Sequence, residues 1–211
     1  MTTKFAYITP ASQKNKTNKR LRKNEAENDE DENEKEAEIL SIKDRVYFHS
    51  DVSRKSILKL IQEMEKATEY AIAHSYDHAD ATIYLYIHSN GGDVFAGLSG
   101  MNHIQNHRIW VVTIADGYAA SAATLLLLGG HERKAMQNAK ILIHQLSTSF
   151  LGKFSDLHDE YENSSELMKT FEEIYTSCSK MTKKEFEKIV KKELHMDAKK
   201  ALKYGIIDSQ W

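Results

Sequence analysis

The chain has 211 residues and an apolar fraction of 41%, which is enough for one domain with a sizeable core. Its formal net charge of −2 gives no general attraction to nucleic acid. The single cysteine, Cys178, excludes an internal disulfide framework and fits a reducing compartment such as the cytoplasm. No apolar run reaches the length of a membrane span and the first residues lack the apolar centre of a secretory signal, so we expect neither a membrane nor nucleic acid as a partner.

The first forty or so residues differ sharply in composition from the rest. A basic block with six Lys and Arg residues, from Lys14 to Lys23, precedes an acidic block with nine Asp and Glu residues, from Glu25 to Glu38. Like charges repel one another within each block and bury no surface. We therefore predict a largely mobile, charged N-terminal segment at 1–41 and a folded domain at 42–211.

Strand and helix patterns alternate along the rest of the chain. Runs of β-branched and aromatic residues predict strands at 44–50, 82–88, 108–115 and 140–144. Apolar residues at helical spacing predict helices at 53–73, 92–106, 121–130, 155–179, 182–192 and 198–204. A capping box from Thr182 to Glu185, an N-cap at Asp197 and a stop at Gly205 mark the last two helices. The alternation predicts an α/β fold with a parallel sheet.

Polar and glycine residues follow three of the predicted strands. "SNGGDV" follows the strand at 82–88, "DGYAAS" follows the strand at 108–115, and the strand at 140–144 ends in His144. The carboxyl ends of parallel strands lie on one side of a sheet. We therefore expect Gly92, Ser121 and His144 to meet there, although they are far apart in the sequence.

Hydrolysis of an amide by serine needs a hydroxyl, a base and backbone N–H donors for the oxyanion. Ser121 supplies a hydroxyl at the start of a predicted helix, and His144 can be the base. The N–H of Ala122 and the N–H of Gly92 can be the donors, because a glycine turn lets the backbone approach a substrate. Simpler interpretations stay open: Ser121 as a helix cap, His144 as a core histidine, and the glycine pair as a tight turn.

These stretches resemble the ClpP peptidase family. The resemblance covers roughly 42–208 and rests on "IYLYIHSNGGDVFAG", "DGYAASAATLLLLGG", "NAKILIHQ" and "ALKYGIID", which occur in this order. It implies repeated ββα units, similar to the crotonase fold, with a protruding handle helix at about 155–179. It also implies that Ser121 is the nucleophile, that His144 is the base, and that Gly92 and Ala122 form the oxyanion hole.

The chain departs from the family pattern at the third member of the triad. The family has an aspartate at this position, and this chain has Glu193, which is one methylene longer. The alternatives are Asp197, another carboxylate, or no carboxylate at all. The proline after His-Gln is replaced by Leu146, and the glycine-rich strand that follows it in the family keeps only Gly152.

Neither a metal nor a cofactor is expected. The histidine pairs 74/78 and 103/107 have the spacing of zinc ligands, but no H-E-x-x-H arrangement accompanies them, so solvated helix faces are the simpler interpretation. The chain has no phosphate-binding loop, so we do not expect it to bind ATP.

The resemblance implies a serine endopeptidase that is the proteolytic subunit of a self-compartmentalised protease. It implies a homo-oligomer of two stacked heptameric rings, polypeptide substrates, and an AAA+ Clp unfoldase that binds the ATP. The charged segment at 1–41 would then occupy the axial pore. Two other functions stay open: a catalytically impaired ClpP-like subunit, and an acyl-CoA enzyme of the crotonase fold.

Overall fold

The computed structural model describes residues 38–211, and these form an eight-stranded sheet. The charged blocks of the predicted N-terminal segment, up to residue 37, lie outside the described residues. In chain order the strands are β1 Glu38–Ile42, β2 Arg45–His49, β3 Thr82–Ser89, β4 Trp110–Ala120, β5 Glu132–Ala135, β6 Lys140–Leu142, β7 Met196–Asp197 and β8 Ser209–Gln210.

The main path through the sheet is β1-β2-β3-β4-β5-β8, and every pair along it is parallel except β1 with β2. The far end of the long strand β4 pairs instead with β6, which pairs antiparallel with β7. The predicted α/β class with a parallel sheet is confirmed, and the carboxyl ends of β3 and β4 lie on one side.

Strand β1 lies before the predicted domain boundary at residue 42. The acidic block that ends at Glu38 hid this strand, because the composition masked the buried Ile39 that follows. Ser41 ties β1 to the first helix, since its backbone N–H and its hydroxyl donate to Oε2 of the buried Glu63 at 3.0 and 2.6 Å. The folded domain therefore includes Glu38–Ile42.

Helices cover the sheet and close its connections. They are α1 Arg54–His74, α2 Val94–Gln105, α3 Ala123–Leu128, α4 Phe154–Ser177, α5 Lys183–Val190 and α6 Ala198–Tyr204, with a short 3-10 turn at His78–Asp80. The predicted caps are confirmed: Thr182 and Glu185 form a capping box at α5, Asp197 caps α6, and Gly205 ends α6 with a φ of 68°.

Strand β4 is longer than predicted and carries a bulge. Ile87 on β3 pairs with Ala115, but Ser89 pairs with Ala119, so that three residues of β4 lie opposite one residue of β3. Gly117, with a φ of 87°, lies within this bulge. The strand was predicted to end at residue 115, before "DG", whereas it continues through these residues to Ala120, immediately before Ser121.

The predicted long helix is present as α4, and little of it is buried by the described chain. Only Phe171 and Tyr175 are buried in it, close to its C-terminal end. The segment 143–153 before it contains no helix or strand. Among residues 38–211 no helix is both long and apolar enough to span a membrane.

Candidate active site

Ser121 lies in the sharp turn between β4 and α3. Its φ is 54°, in the left-handed region that costs a residue with a side chain about 1–2 kcal/mol. The turn is tied down because the Ser121 N–H donates to the carbonyl of Leu142 at 2.9 Å. The N-cap of α3 is Ala122, and α3 has no side-chain cap hydrogen bond. The interpretation of Ser121 as the cap of α3 is therefore wrong.

The glycine pair after β3 packs directly against this turn. A Cβ atom placed on Gly91 would lie 2.6 Å from the Cβ of Ser121, and one on Gly92 would lie 2.3 Å from the carbonyl oxygen of Val52. Their φ angles of 98° and 142° also favour glycine. Val52 holds the pair on its other side: its N–H donates to the carbonyl of Gly91, and its own carbonyl accepts from the N–H of Asp93, each at 2.7 Å.

Two backbone donors of this region are left without a backbone acceptor. Within residues 38–211, neither the N–H of Gly92 nor the N–H of Ala122 donates to another backbone group. Both residues line the same cavity as Ser121. A site with two such N–H groups beside a hydroxyl can bind an oxyanion.

The cavity has a volume of about 230 Å³. It is lined by Gly92, Val94, Ser121, Ala122, Leu125, His144, Gln145, Leu146, Ser147, Phe171 and Tyr175. The structure thus brings together the predicted residues Gly92, Ser121, Ala122 and His144. Phe171 and Tyr175 form an apolar wall contributed by α4, which the sequence analysis did not connect with the site.

His144 is half-buried and follows β6, but its imidazole is not hydrogen-bonded to either proposed catalytic partner. Among the described residues, no hydrogen bond joins it to the hydroxyl of Ser121 or to Glu193. Catalytic hydrogen bonds are often long or poorly aligned without substrate. Ser121 and His144 nevertheless line the same cavity.

Glu193 is exposed and lies in the segment between α5 and β7. In the β6–β7 ladder Lys140 pairs with Asp197 and Ile141 with Met196. The ladder does not continue to His144, because the N–H of the next residue, Gln145, donates to the carbonyl of Val190 at the end of α5 at 3.0 Å. No described pairing therefore sets Glu193 against His144. Asp197, the alternative, is engaged elsewhere, because its Oδ1 accepts from the N–H of Lys200 at 2.8 Å.

A contact between Tyr118 and His195, next to Glu193 in the chain, was not predicted from the sequence. The hydroxyl of Tyr118 lies 3.3 Å from Nε2 of His195, and the two rings meet edge to face with centroids 5.3 Å apart. Burial raises the pKa of Tyr118, and the nearby charge of Glu193 raises it further. Tyr118 belongs to the β4 bulge, so no local sequence pattern indicated this contact.

A hydrogen-bonded relay connects α4 with the Ser121 turn. The hydroxyl of Thr124 donates to the carbonyl of Ser121 at 2.6 Å and is itself hydrogen-bonded to the hydroxyl of Tyr175. Burial raises the pKa of Tyr175 to about 12. The phenol is therefore protonated at neutral pH and can donate its proton to the hydroxyl of Thr124.

A protein-family comparison agrees with this architecture. A family model described as Clp protease matches residues 33–210 of the chain. The match includes every residue of the cavity and all helices and strands from β1 to β8.

Proposed function

The chain belongs to the Clp protease family, and we propose that it is a serine-type endopeptidase in which Ser121, His144 and Glu193 form the catalytic triad. The family makes it a ClpP-like protease; the serine mechanism and the roles of these residues are the proposal. The observation that supports it best is the single cavity shared by Ser121, His144 and the free N–H groups of Gly92 and Ala122.

In this mechanism His144 takes the proton of the Ser121 hydroxyl while Oγ attacks the carbonyl carbon of the scissile peptide bond. The oxyanion that forms is bound by the N–H groups of Gly92 and Ala122. His144 then donates the proton to the leaving amine, and a water molecule hydrolyses the acyl-enzyme by the same steps. Glu193 orients the imidazole and stabilises its cation.

The cavity walls suit an apolar side chain of the substrate. Val94, Leu125 and Phe171 surround the space next to Ser121, and they offer apolar surface rather than charge. An apolar side chain next to the scissile bond would bury its surface there. We therefore expect cleavage after apolar residues to be favoured over cleavage after charged ones.

We further propose that the chain works as two stacked heptameric rings whose handle is α4. Family membership implies oligomeric assembly with Clp ATPases in general. Large apolar side chains are exposed at the start of α4 and just before it, and burial in a partner subunit would account for them: Phe150, Leu151, Phe154, Leu157 and Tyr161. An AAA+ Clp unfoldase would bind ATP and supply unfolded polypeptides, in the cytoplasm or an equivalent reducing compartment.

The charged segment 1–41 is proposed to lie at the axial pore and to control entry. Only its last residues, which begin β1, belong to the described part of the chain. The blocks of opposite charge can attract each other or a neighbouring subunit, and such exposed contacts are screened by salt.

One observation favours a catalytically impaired subunit as the second candidate. In residues 38–211 the imidazole of His144 contacts neither the Ser121 hydroxyl nor a carboxylate by a hydrogen bond. Such a subunit would assemble with active partners and contribute structure only.

A fluorogenic short-peptide assay combined with labelling by a serine-reactive fluorophosphonate tests the proposal. We expect the wild type to cleave and to be labelled, and Ser121→Ala to do neither while it assembles normally. Ser177→Ala, at an exposed serine on α4, is the control and should behave as the wild type. Turnover by Ser121→Ala would contradict the mechanism. A wild type that assembles but neither cleaves nor labels would favour the impaired subunit.

A further inference from the structure

The peptide group between Ser121 and Ala122 forms different contacts through its C=O and its N–H. Its N–H is the proposed oxyanion donor of Ala122. Its carbonyl, on Ser121, accepts hydrogen bonds from the N–H of Thr124 at 2.9 Å and from the hydroxyl of Thr124 at 2.6 Å. In a trans peptide the C=O and the N–H point in opposite directions. Anchoring the carbonyl on Thr124 therefore fixes the direction of the Ala122 N–H.

The anchor is itself held by α4. A threonine hydroxyl has one proton, and that of Thr124 is donated to Ser121, so its oxygen accepts the proton of the Tyr175 phenol. Thr124 and Tyr175 are 0% and 4% exposed, so no solvent competes for these bonds. Each bond in such a chain polarises the next, and donors on the carbonyl make the N–H of the same peptide a better donor.

The turn needs this support because Ser121 is held at a φ of 54°. A residue with a side chain stays in this region only where its surroundings hold it there. Gly91 packs against the side chain of Ser121, and the relay holds the carbonyl of Ser121. The relay therefore constrains the same residue whose backbone is strained.

We propose that Thr124 and Tyr175 are positioning residues that hold the Ser121–Ala122 peptide so that the Ala122 N–H faces the oxyanion. The proposal rests on the proposed function, in which Ser121 is the nucleophile. It assigns to a phenol on α4 a role in transition-state binding rather than in substrate binding.

The main test is Thr124→Val, which keeps the shape of the side chain and removes the hydroxyl. Complete loss of an oxyanion donor costs roughly 100- to 1000-fold in kcat, and misalignment should cost less, about tenfold, with KM changed less than about twofold. Tyr175→Phe should lower kcat by roughly threefold, in line with one hydrogen bond acting at a distance. Thr124→Ser should restore kcat to near the wild-type value.

Affinity for a peptide boronate separates positioning from simple packing, because the tetrahedral adduct uses the oxyanion donors. We expect its inhibition constant to rise by the same factor as kcat falls. Tyr175→Phe should have little further effect in the Thr124→Val background, since both variants break one relay.

Thr113→Val is the matched control. Thr113 is equally buried, and its hydroxyl donates to the carbonyl of Leu127 at the other end of α3 at 2.7 Å. We expect a comparable fall in melting temperature and an unchanged kcat. Wild-type kcat and boronate affinity in folded Thr124→Val, or a Thr124→Ser variant as impaired as Thr124→Val, would overturn the proposal. Ser121→Ala separates failure of this proposal from failure of the proposed function. If Ser121→Ala remains active, the serine mechanism itself is wrong.

Discussion

The buried carboxylate of Glu63 makes the contact between β1 and α1, and with it the stability of the fold, sensitive to acid. Burial alone would raise the pKa of Glu63, but hydrogen bonds from Lys59, Lys66 and Ser41 outweigh it and lower the pKa from 4.5 to about 2. A carboxylate with a depressed pKa stabilises the folded state fully above its unfolded pKa. That contribution is lost as the pH falls from about 4.5 towards 2.

A shift of this size corresponds to about 3 kcal/mol. The side chains of Lys59 and Lys66 are 44% and 61% exposed, so solvent screens them and we expect about 2 kcal/mol. Glu63→Gln should therefore lower the free energy of unfolding by about 2 kcal/mol at pH 7, and the difference from the wild type should shrink between pH 5 and pH 2. Urea unfolding at several pH values and one protein concentration measures this difference.

Glu65→Gln is the control on the same helix. Glu65 pairs with Arg108 at 3.0 Å, but both side chains are about half exposed, so its removal should cost less than about 0.5 kcal/mol at any pH. If Glu63→Gln and the wild type lose stability in parallel from pH 5 to pH 2, the Glu63 contacts do not stabilise the fold as argued.

Three further predictions concern the site and the N-terminal segment. Gly91→Ala should abolish peptide cleavage and lower the melting temperature, because its Cβ would lie 2.6 Å from that of Ser121; normal activity would show that the two do not pack so closely. Glu193→Gln should lower kcat by roughly a hundredfold or more in peptide assays without unfolding the protein, because a neutral amide cannot stabilise the imidazole cation; an unchanged rate would exclude Glu193 from the triad. Deletion of residues 11–37, which spares β1, should raise turnover of long unfolded polypeptides relative to that of a dipeptide substrate, and high salt should partly mimic it; a constant ratio would contradict the pore gate.

The meeting of Gly92, Ser121 and His144 could be predicted from the sequence because it follows from chain direction alone. Each residue comes just after a strand-like run, and parallel strands end on one side of a sheet. The structure brings all three to one cavity. No side-chain detail was needed for this prediction, only the order of strands and helices.

Other features depend on contacts that no local pattern encodes. The β4 bulge was missed because "DG" is typical of turns, and only pairing with both β3 and β6 keeps the strand continuous through it. The wall formed by Phe171 and Tyr175 was missed because it depends on where the C-terminal end of α4 docks. Strand β1 was missed because an acidic run hides it.

The row of small residues around Ser121 can now be explained by packing. Ala119, Ala120, Ala122 and Ala123 are all at most 3% exposed, and Gly91 lies against the Ser121 Cβ on the remaining side. Larger side chains at these positions would push the turn away from the sheet, and the strained φ of Ser121 could then relax. Of the turn residues Ser121 and Ala122, which both line the cavity, only Ser121 has a polar side chain. The alanines thus help to hold the proposed nucleophile in place by letting the turn pack closely, although none of them contributes a functional side-chain atom.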